Sequence, residues 1–363
     1  MDIKNKIIGS LVGGAIGDAL GYPIEFKRGI KDREYCKYNE DKGIISDDTQ
    51  MTLFTANGLL SRETRLYLRG ISPKPSDMIY HAYLDWLDTQ TGQNNHEFKV
   101  TWIKDLKELN VKRAPGNTCL SALLSGKKGT IEEPINDSKG CGGIMRVAPI
   151  GLYAKKAEDA GKTAAEVSAI THGHPLGIIP SYIFSTLIYY LVRENDDITT
   201  ALKKAIKNYK KNFNIYSSKD NKYFFKMIKK AIKLSKENIS DVEAIYKIGG
   251  GWVAEEAFAI ALYSCLKYEN SFEDAIICAV NHDGDSDSTG AIAGNIIGAY
   301  LGFDSIPKYY IDNLELKDTI IELAEDLSSP IPVGEYEKNQ DEYWLDKYCY
   351  FEKKERKSNN EES

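Results

Sequence analysis

The stretch NHDGDSDSTGAIAGNIIGAYLG, residues 281–302, joins an acidic turn to an apolar run punctuated by glycine. Gly290, Gly294, Gly298 and Gly302 recur every four residues. On a helix with 3.6 residues per turn they share one stripe. The start of the chain repeats the device with Gly9, Gly13, Gly17 and Gly21. Each glycine costs an exposed helix up to about 1 kcal/mol relative to alanine. Chance in a chain with 29 glycines is one explanation. Two ladders of four favour the other, a deeply buried central pair of helices whose backbones come very close.

Around this pair helical periodicity dominates. Residues 49–60, 161–170, 179–193, 222–236, 253–268, 271–280 and 289–301 place apolar residues three or four apart, and no long alternating strand is seen. The fold class is all-α. Loops gather at 27–46, 110–118 and 134–143, where Gly, Pro, Asn and charged residues cluster. No linker divides the chain, so residues 1–350 are read as a single domain. Residues 351–363, FEKKERKSNNEES, are almost free of apolar side chains and are expected to be a disordered charged tail. Lys203 to Lys236 holds twelve lysines with Asp220 as the one acid between them, and reads as a solvated helical pair.

The chain is 363 residues long, 42% hydrophobic and 28% charged, an ordinary globular composition. A net charge of −6 argues against a general nucleic-acid binder. The opening MDIKNKIIGSLVGGAIGDALG could be a signal peptide, but Asp18 and the continuing pattern favour a core helix. No apolar stretch is judged long enough to span a membrane. Cys36, Cys119, Cys141, Cys265, Cys278 and Cys349 are scattered and form no CxxC, so free thiols and a cytoplasmic location are expected.

Asp283, Asp285 and Asp287 stand on alternate positions, with Ser286, Ser288 and Thr289 among them. Ser288 is a plausible N-cap for the helix that follows. A matching element lies in IISDDTQMTLFTANGLL, where Ser46 or Asp47 can cap a helix with Asp48 in its first turn. Capping favours acids at helix starts, yet it explains one or two of them, not two clusters. Two sets of two carboxylates and a hydroxyl form an all-oxygen site for hard cations. Four carboxylates can neutralise two divalent ions, and Mg2+ or Mn2+ suits them. An EF-hand fails, because its sixth position is Ser288 and its twelfth Gly294. Asp47-Asp48 is not followed by the spacing of a DDxxD motif, and His81, His96, His172, His174 and His282 form no zinc pattern with the cysteines. The GKT at Gly161 to Thr163 lacks the upstream glycine of a P-loop. His282-Asp283 as the HD pair of a metal phosphohydrolase is the serious rival.

GSLVGGAIGDALGYPIEF, SDDTQMT, PGNTCLSAL, KGCGGIMRVAPIGL, ITHGHPLG and NHDGDSDSTGAIAGNIIGAYLG, in this order, resemble the ADP-ribosylglycohydrolase family. The likeness runs from about residue 7 to residue 302. The region at about 195–245 carries no family motif. The resemblance implies an orthogonal all-α bundle with two Mg2+ or Mn2+ at the floor of a cleft. Its implied ligands are Ser46, Asp47, Asp48, Asp285, Asp287 and Ser288, with Asp283 outside the set. The implied reaction is hydrolytic release of ADP-ribose from a modified protein side chain, arginine above others. Its partners would be the ADP-ribosylated protein and free ADP-ribose; a monomer, with no membrane partner, is expected.

Cleavage at ribose C1 develops positive charge on the sugar and needs a positioned water. Glu25 is the candidate carboxylate for that step, with Asp47 and Asp287 as metal-bearing catalytic groups. Gly140, Cys141, Gly142 and Gly143 offer backbone N–H groups for a diphosphate. Gly116, Asn117, Thr118 and His172 resemble further substrate contacts. Trp252 either stacks on adenine or belongs to the core. A non-catalytic ADP-ribose-binding relative is the remaining alternative.

Overall fold

The computed structural model describes residues 2–94, 96–336 and 340–351. Sixteen α-helices are present among them, and β pairing is limited to two isolated bridges, Gly43 with Leu314 and Gly140 with Val253. The all-α expectation holds.

The first helix, α1 (Ile3–Gly21), starts at Asp2, whose side chain accepts from Lys4 N. The chain then passes through α2 (Asp47–Arg69), α3 (Pro75–Thr91), α4 (Asn117–Leu124), α5 (Ala148–Tyr153) and α6 (Ala157–Ala169). Next come α7 (Pro175–Arg193), α8 (Ile198–Asn212), α9 (Ser218–Leu234), α10 (Asp241–Ile248) and α11 (Ala254–Lys267). The last five are α12 (Phe272–Val280), α13 (Ser286–Leu301), α14 (Lys308–Asp312), α15 (Lys317–Ser328) and α16 (Glu342–Tyr348). All seven expected helical segments are found. Helices α3, α4, α5, α10 and α14–α16 were not foreseen.

The two glycine ladders meet. A Cβ on Gly17 would lie 2.0 Å from Gly290 O, one on Gly294 1.9 Å from Gly13 O, and one on Gly298 2.0 Å from Gly9 O. This register makes α1 and α13 antiparallel, with backbone against backbone. Both are buried along most of their length, and α7, α11, α12 and α15 pack around them. Asn295 supports the pair with its amide donating to Ser10 O at 2.8 Å. Alanine in the ladder would force the backbones apart.

Helices α1 and α7 are long and apolar enough to cross a membrane, contrary to the estimate from the sequence. The apolar windows tolerate the scattered polar groups, and 89% and 83% of them are buried inside the bundle. Helices α8 and α9 turn Leu202, Ala205, Tyr209, Phe224, Ile228 and Ala231 inward. Their lysines mostly stay in solvent, apart from exceptions such as Lys204, which pairs with Glu194 and Asp196. Of the expected tail only Phe351 is described, and it is half-buried; residues 352–363 lie outside the described residues.

Candidate metal centre and substrate cleft

The close approach of α1 and α13 brings three chain segments to one point. A Cβ on Gly21 would sit 2.2 Å from Ser286 O, so glycine lets the end of α1 touch the start of α13. A single 3-10 turn, Tyr22–Ile24, then delivers Glu25. Asp18, one turn back on α1, fixes the start of α2. Both of its carboxylate oxygens accept Ser46 N–H at 3.0 Å, and Oδ2 also accepts Thr49 N–H at 3.0 Å.

Ser46 caps α2 by accepting Asp48 N–H at 3.3 Å. Asp285, not Ser288, caps α13, accepting Ser288 N–H at 3.3 Å. The expectation for Ser288 is corrected by three residues. The helix begins earlier than its apolar periodicity because Asp287 and Ser288 point into the cleft, not the core. Asp287 also accepts Ser288 N–H, at 3.0 Å, and Asp47 accepts Gly116 N–H at 3.1 Å.

Next to Asp18 and Ser46, a cavity of about 210 Å³ opens between these segments. Glu25, Asp47, Asp48, Asp285, Asp287 and Ser288 are among the lining residues. Gly116, Asn117, Thr118, Gly140, Cys141, Gly142, His172 and Trp252 line it too, with Ala114, Cys119 and Met145. Two expected residues do not line it. Ser46 is fully buried beneath Asp48, with its hydroxyl 3.4 Å from Asp48 Oδ2. Gly143 packs against Ser168 and His172.

Glu25, Asp285 and Asp287 each offer an oxygen within 4.8 Å of the others. No lysine or arginine among the described residues lines the cavity. Burial, then repulsion from Asp287, Asp47 and Asp18, pushes Glu25 up to about 9. Burial and Asp287 push Asp18 up to about 7. Burial foremost holds Asp47, Asp48 and Asp285 well above the usual carboxylate range and raises Asp287. Glu25 Oε2 and Asp48 Oδ1 are buried without a hydrogen-bond partner. Buried carboxylate oxygens normally have one. A carboxylate-rich donor set with orphaned oxygens and no lysine or arginine on its described lining fits a hard divalent ion.

The glycine loop is partly engaged already. Gly140 N–H donates to Ser138 Oγ and Cys141 N–H to Trp252 O, both at 3.3 Å. The Cys141 thiol points into the centre, 2.7 Å from Asp285 Oδ2. His172 is buried, its Nδ1 2.8 Å from Thr171 Oγ1, and burial, then Arg146, brings it down to about 3. It is a neutral ring at any ordinary pH. Trp252 is 38% exposed and stacks on Phe26, with ring centroids 5.8 Å apart. The core assignment is therefore set aside.

The HD pairing has no geometric counterpart. His282 Nε2 lies 2.9 Å from Thr289 Oγ1, while Asp283 accepts Gly29 and Ile30 N–H at 2.7 and 2.8 Å. Asp283 pins the 27–30 loop and leaves His282 in the core. Sequence reasoning missed Asp18, the Cys141 side chain and Phe26. A lone acid inside an apolar glycine-rich helix was the available signal for Asp18.

An all-helical bundle with an anionic cleft fed by two helix N-termini is the class that fold and site define. The chain belongs to the ADP-ribosylglycohydrolase family, whose model matches residues 1–336. It is 23% identical to the ADP-ribosyl-[dinitrogen reductase] glycohydrolase of Rhodospirillum rubrum, over 87% of this chain and 92% of that one. It is 25% identical to the ADP-ribosylarginine hydrolase Tri1 of Serratia proteamaculans, over 92% and 81%. An uncharacterised protein of Archaeoglobus fulgidus is 27% identical over 89% and 95%. A solved ADP-ribosylglycohydrolase-related protein complex has the same fold, with a TM-score of 0.63 at 20% identity over 90% and 98% of the chains. Membership supports ADP-ribosylhydrolase activity on ADP-ribosylated substrates, in a family that is in general metal-dependent.

Proposed function

We propose that this protein is a divalent-metal hydrolase that removes ADP-ribose from modified protein side chains, ADP-ribosyl-arginine above others. The observation that carries it is the cleft of buried carboxylates with no lysine or arginine among its described lining residues, and with Glu25 Oε2 and Asp48 Oδ1 unpartnered. The arginine preference is supported by the activity named for the Serratia relative.

Asp47, Asp48, Asp285, Asp287 and Ser288 would hold two Mg2+ or Mn2+, with Ser46 beneath them. Such ions supply Lewis-acid charge for the ribose hydroxyls and for a bound water. Asp18 orients the first ligand pair by holding Ser46 and Thr49 N–H. Glu25 Oε2 is the atom for proton transfer at the scissile bond. The Gly116–Thr118 edge and the 140–142 loop would steer the rest of the substrate, and the Trp252–Phe26 stack offers a flat surface for adenine. His172 contributes shape and a neutral hydrogen bond, not acid–base chemistry.

The test is ADP-ribose release from ADP-ribosylated arginine, serine and nucleic-acid substrates after chelation, with and without added Mg2+ or Mn2+. Metal-restored release from the arginine substrate is expected. Full activity in excess chelator would sink the metal reading, and release from serine or nucleic acid alone would replace the arginine one.

A further inference from the structure

We propose that Cys141 makes the carboxylate centre a mixed sulfur–oxygen site, which takes a thiophilic divalent ion, Zn2+ or Cd2+, through Cys141 and Asp285. The inference rests on the metal-centre reading of the same cleft.

The thiol is aimed at the site by its loop. Cys141 N–H donates to Trp252 O, and the neighbouring Gly140–Val253 bridge pins the loop to the start of α11. That places Sγ 2.7 Å from Asp285 Oδ2, with the thiol donating. Asp48, only 3% exposed, brings an unpartnered Oδ1 to the same cleft, and Glu25, 8% exposed, brings Oε2. The sulfur therefore shares the cleft with these oxygens, in contact with Asp285 and with Asp48 and Glu25 on the same lining. Two other thiols are less suited. Cys265 Sγ faces Ala293 O in the core; Cys119 also lines the cleft, but its Sγ lies 3.5 Å from Arg146 Nη1, a cation that opposes a second positive charge.

Hard ions have little use for sulfur. With Mg2+ or Mn2+ the thiol keeps its proton and stays a hydrogen-bond donor to Asp285. A thiophilic ion instead forms a metal–sulfur bond as the S–H bond breaks, and the proton leaves to solvent. Metal–sulfur and metal–oxygen bonds in a tetrahedral site set the two atoms about 3.6 Å apart. The pair must open by about 1 Å, within reach of a small turn of the Cys141 side chain. The centre is then closed by a tighter ion than the one it works with, so the same residue that lines the cleft makes it sensitive to zinc or cadmium.

The test uses the full chain stripped of metal. Cd2+ is titrated while the ultraviolet thiolate-to-cadmium charge-transfer band is followed, and Zn2+ and Mn2+ binding are measured by calorimetry. Wild type, Cys141→Ser and Cys119→Ser are compared. A stoichiometric cadmium band is expected in wild type and Cys119→Ser and is expected to vanish in Cys141→Ser. Zn2+ affinity should fall about tenfold or more in Cys141→Ser, with Mn2+ affinity little changed. If that variant does not fold, Cd2+ protection of Cys141 from alkylation, mapped by mass on the wild type, gives the same answer. No band, a band that survives Cys141→Ser, or no protection overturns the inference. Mn2+ binding to the wild type separates the cases. If it is present without a cadmium band, this inference alone fails; if absent, the metal centre itself fails.

Discussion

Asp18 receives the Ser46 backbone N–H on both carboxylate oxygens at 3.0 Å, tying the last turn of α1 to the start of α2. The same carboxylate accepts Thr49 N–H. Asp18 thus acts on the centre through the residues it positions. Asp18→Ala would leave two buried donors unpaired, at about 1–3 kcal/mol each. Asp18→Asn keeps one acceptor oxygen and should lose less. Metal affinity should follow the same order, by calorimetry with Mn2+. Lost stability with unchanged Mn2+ affinity would reduce Asp18 to a structural tie.

Gly294→Ala tests the ladder. Its Cβ would meet Gly13 O at 1.9 Å and Gly13 C at 2.4 Å, both backbone. Helix propensity alone favours alanine by about 1 kcal/mol, so any net loss measures crowding. We expect a loss of about 3 kcal/mol or more, at or beyond the upper end of ordinary overpacking. Gly58→Ala, whose Cβ would touch Ala82 Cβ at 3.0 Å, should cost much less. Equal melting temperatures for the two variants would contradict the close approach.

Acidity should stabilise the metal-free protein. Asp18 rises from 3.8 to about 7 and Glu25 from 4.5 to about 9, both by burial first and by neighbouring carboxylates second. Between pH 4 and 9 the folded state therefore binds more protons at these groups than the unfolded chain. Their stabilising contribution is whole below about pH 4 and is lost as pH rises through 7 and then 9. In chelator the melting temperature should fall from pH 5 to 9, and excess Mn2+ should shrink that fall by replacing protons with cations. A melting temperature that climbs with pH in chelator would mean that these carboxylates are not crowded.

The central pair was legible because glycine every fourth residue has no other use on a helix. The carboxylate cluster was legible as residue types, because paired acids with hydroxyls leave few chemistries. Asp18 was not, since nothing in the sequence shows that one acid on α1 reaches the backbone of residues 46–49. Helix α3 escaped for a similar reason. It buries Asp85, Asp88 and Gln90, so its apolar period is broken by polar groups whose partners, Lys104 and Gln50, come from elsewhere in the chain. In α16 the buried Lys347 lies between Glu322 and Asp326 of α15, an arrangement that local pattern cannot announce. Cys141 was read as backbone only, because the direction of its side chain depends on the bridge between Gly140 and Val253.

Asp287→Asn removes one charge and keeps an oxygen for Ser288 N–H. Asp287 stands among the repulsions that raise Glu25, Asp18, Asp47, Asp48 and Asp285. The metal-free variant should melt at the wild-type temperature or above it. The rise in melting temperature on adding Mn2+ should disappear, and hydrolysis should fall by about 100-fold or more. A large drop in metal-free stability would mark Asp287 as a structural cap instead.

Glu25→Gln separates proton transfer from binding. Glu25 arrives on the short turn after α1, with Oε2 buried, unpartnered and beside Asp287. Glutamine keeps the size and the hydrogen-bonding reach and removes the group that can gain or lose a proton. If Glu25 moves a proton at the scissile bond, single-turnover hydrolysis should slow by about 10² or more. Free ADP-ribose should still bind nearly as well, because the glycine loops and the remaining carboxylates keep their places. Removing a repulsive carboxyl should also leave the metal-free melting temperature unchanged or higher. Rate and affinity measured on the same preparation decide the role. A near-normal rate takes Glu25 out of the mechanism, and a parallel loss of rate and ADP-ribose affinity makes it a binding residue.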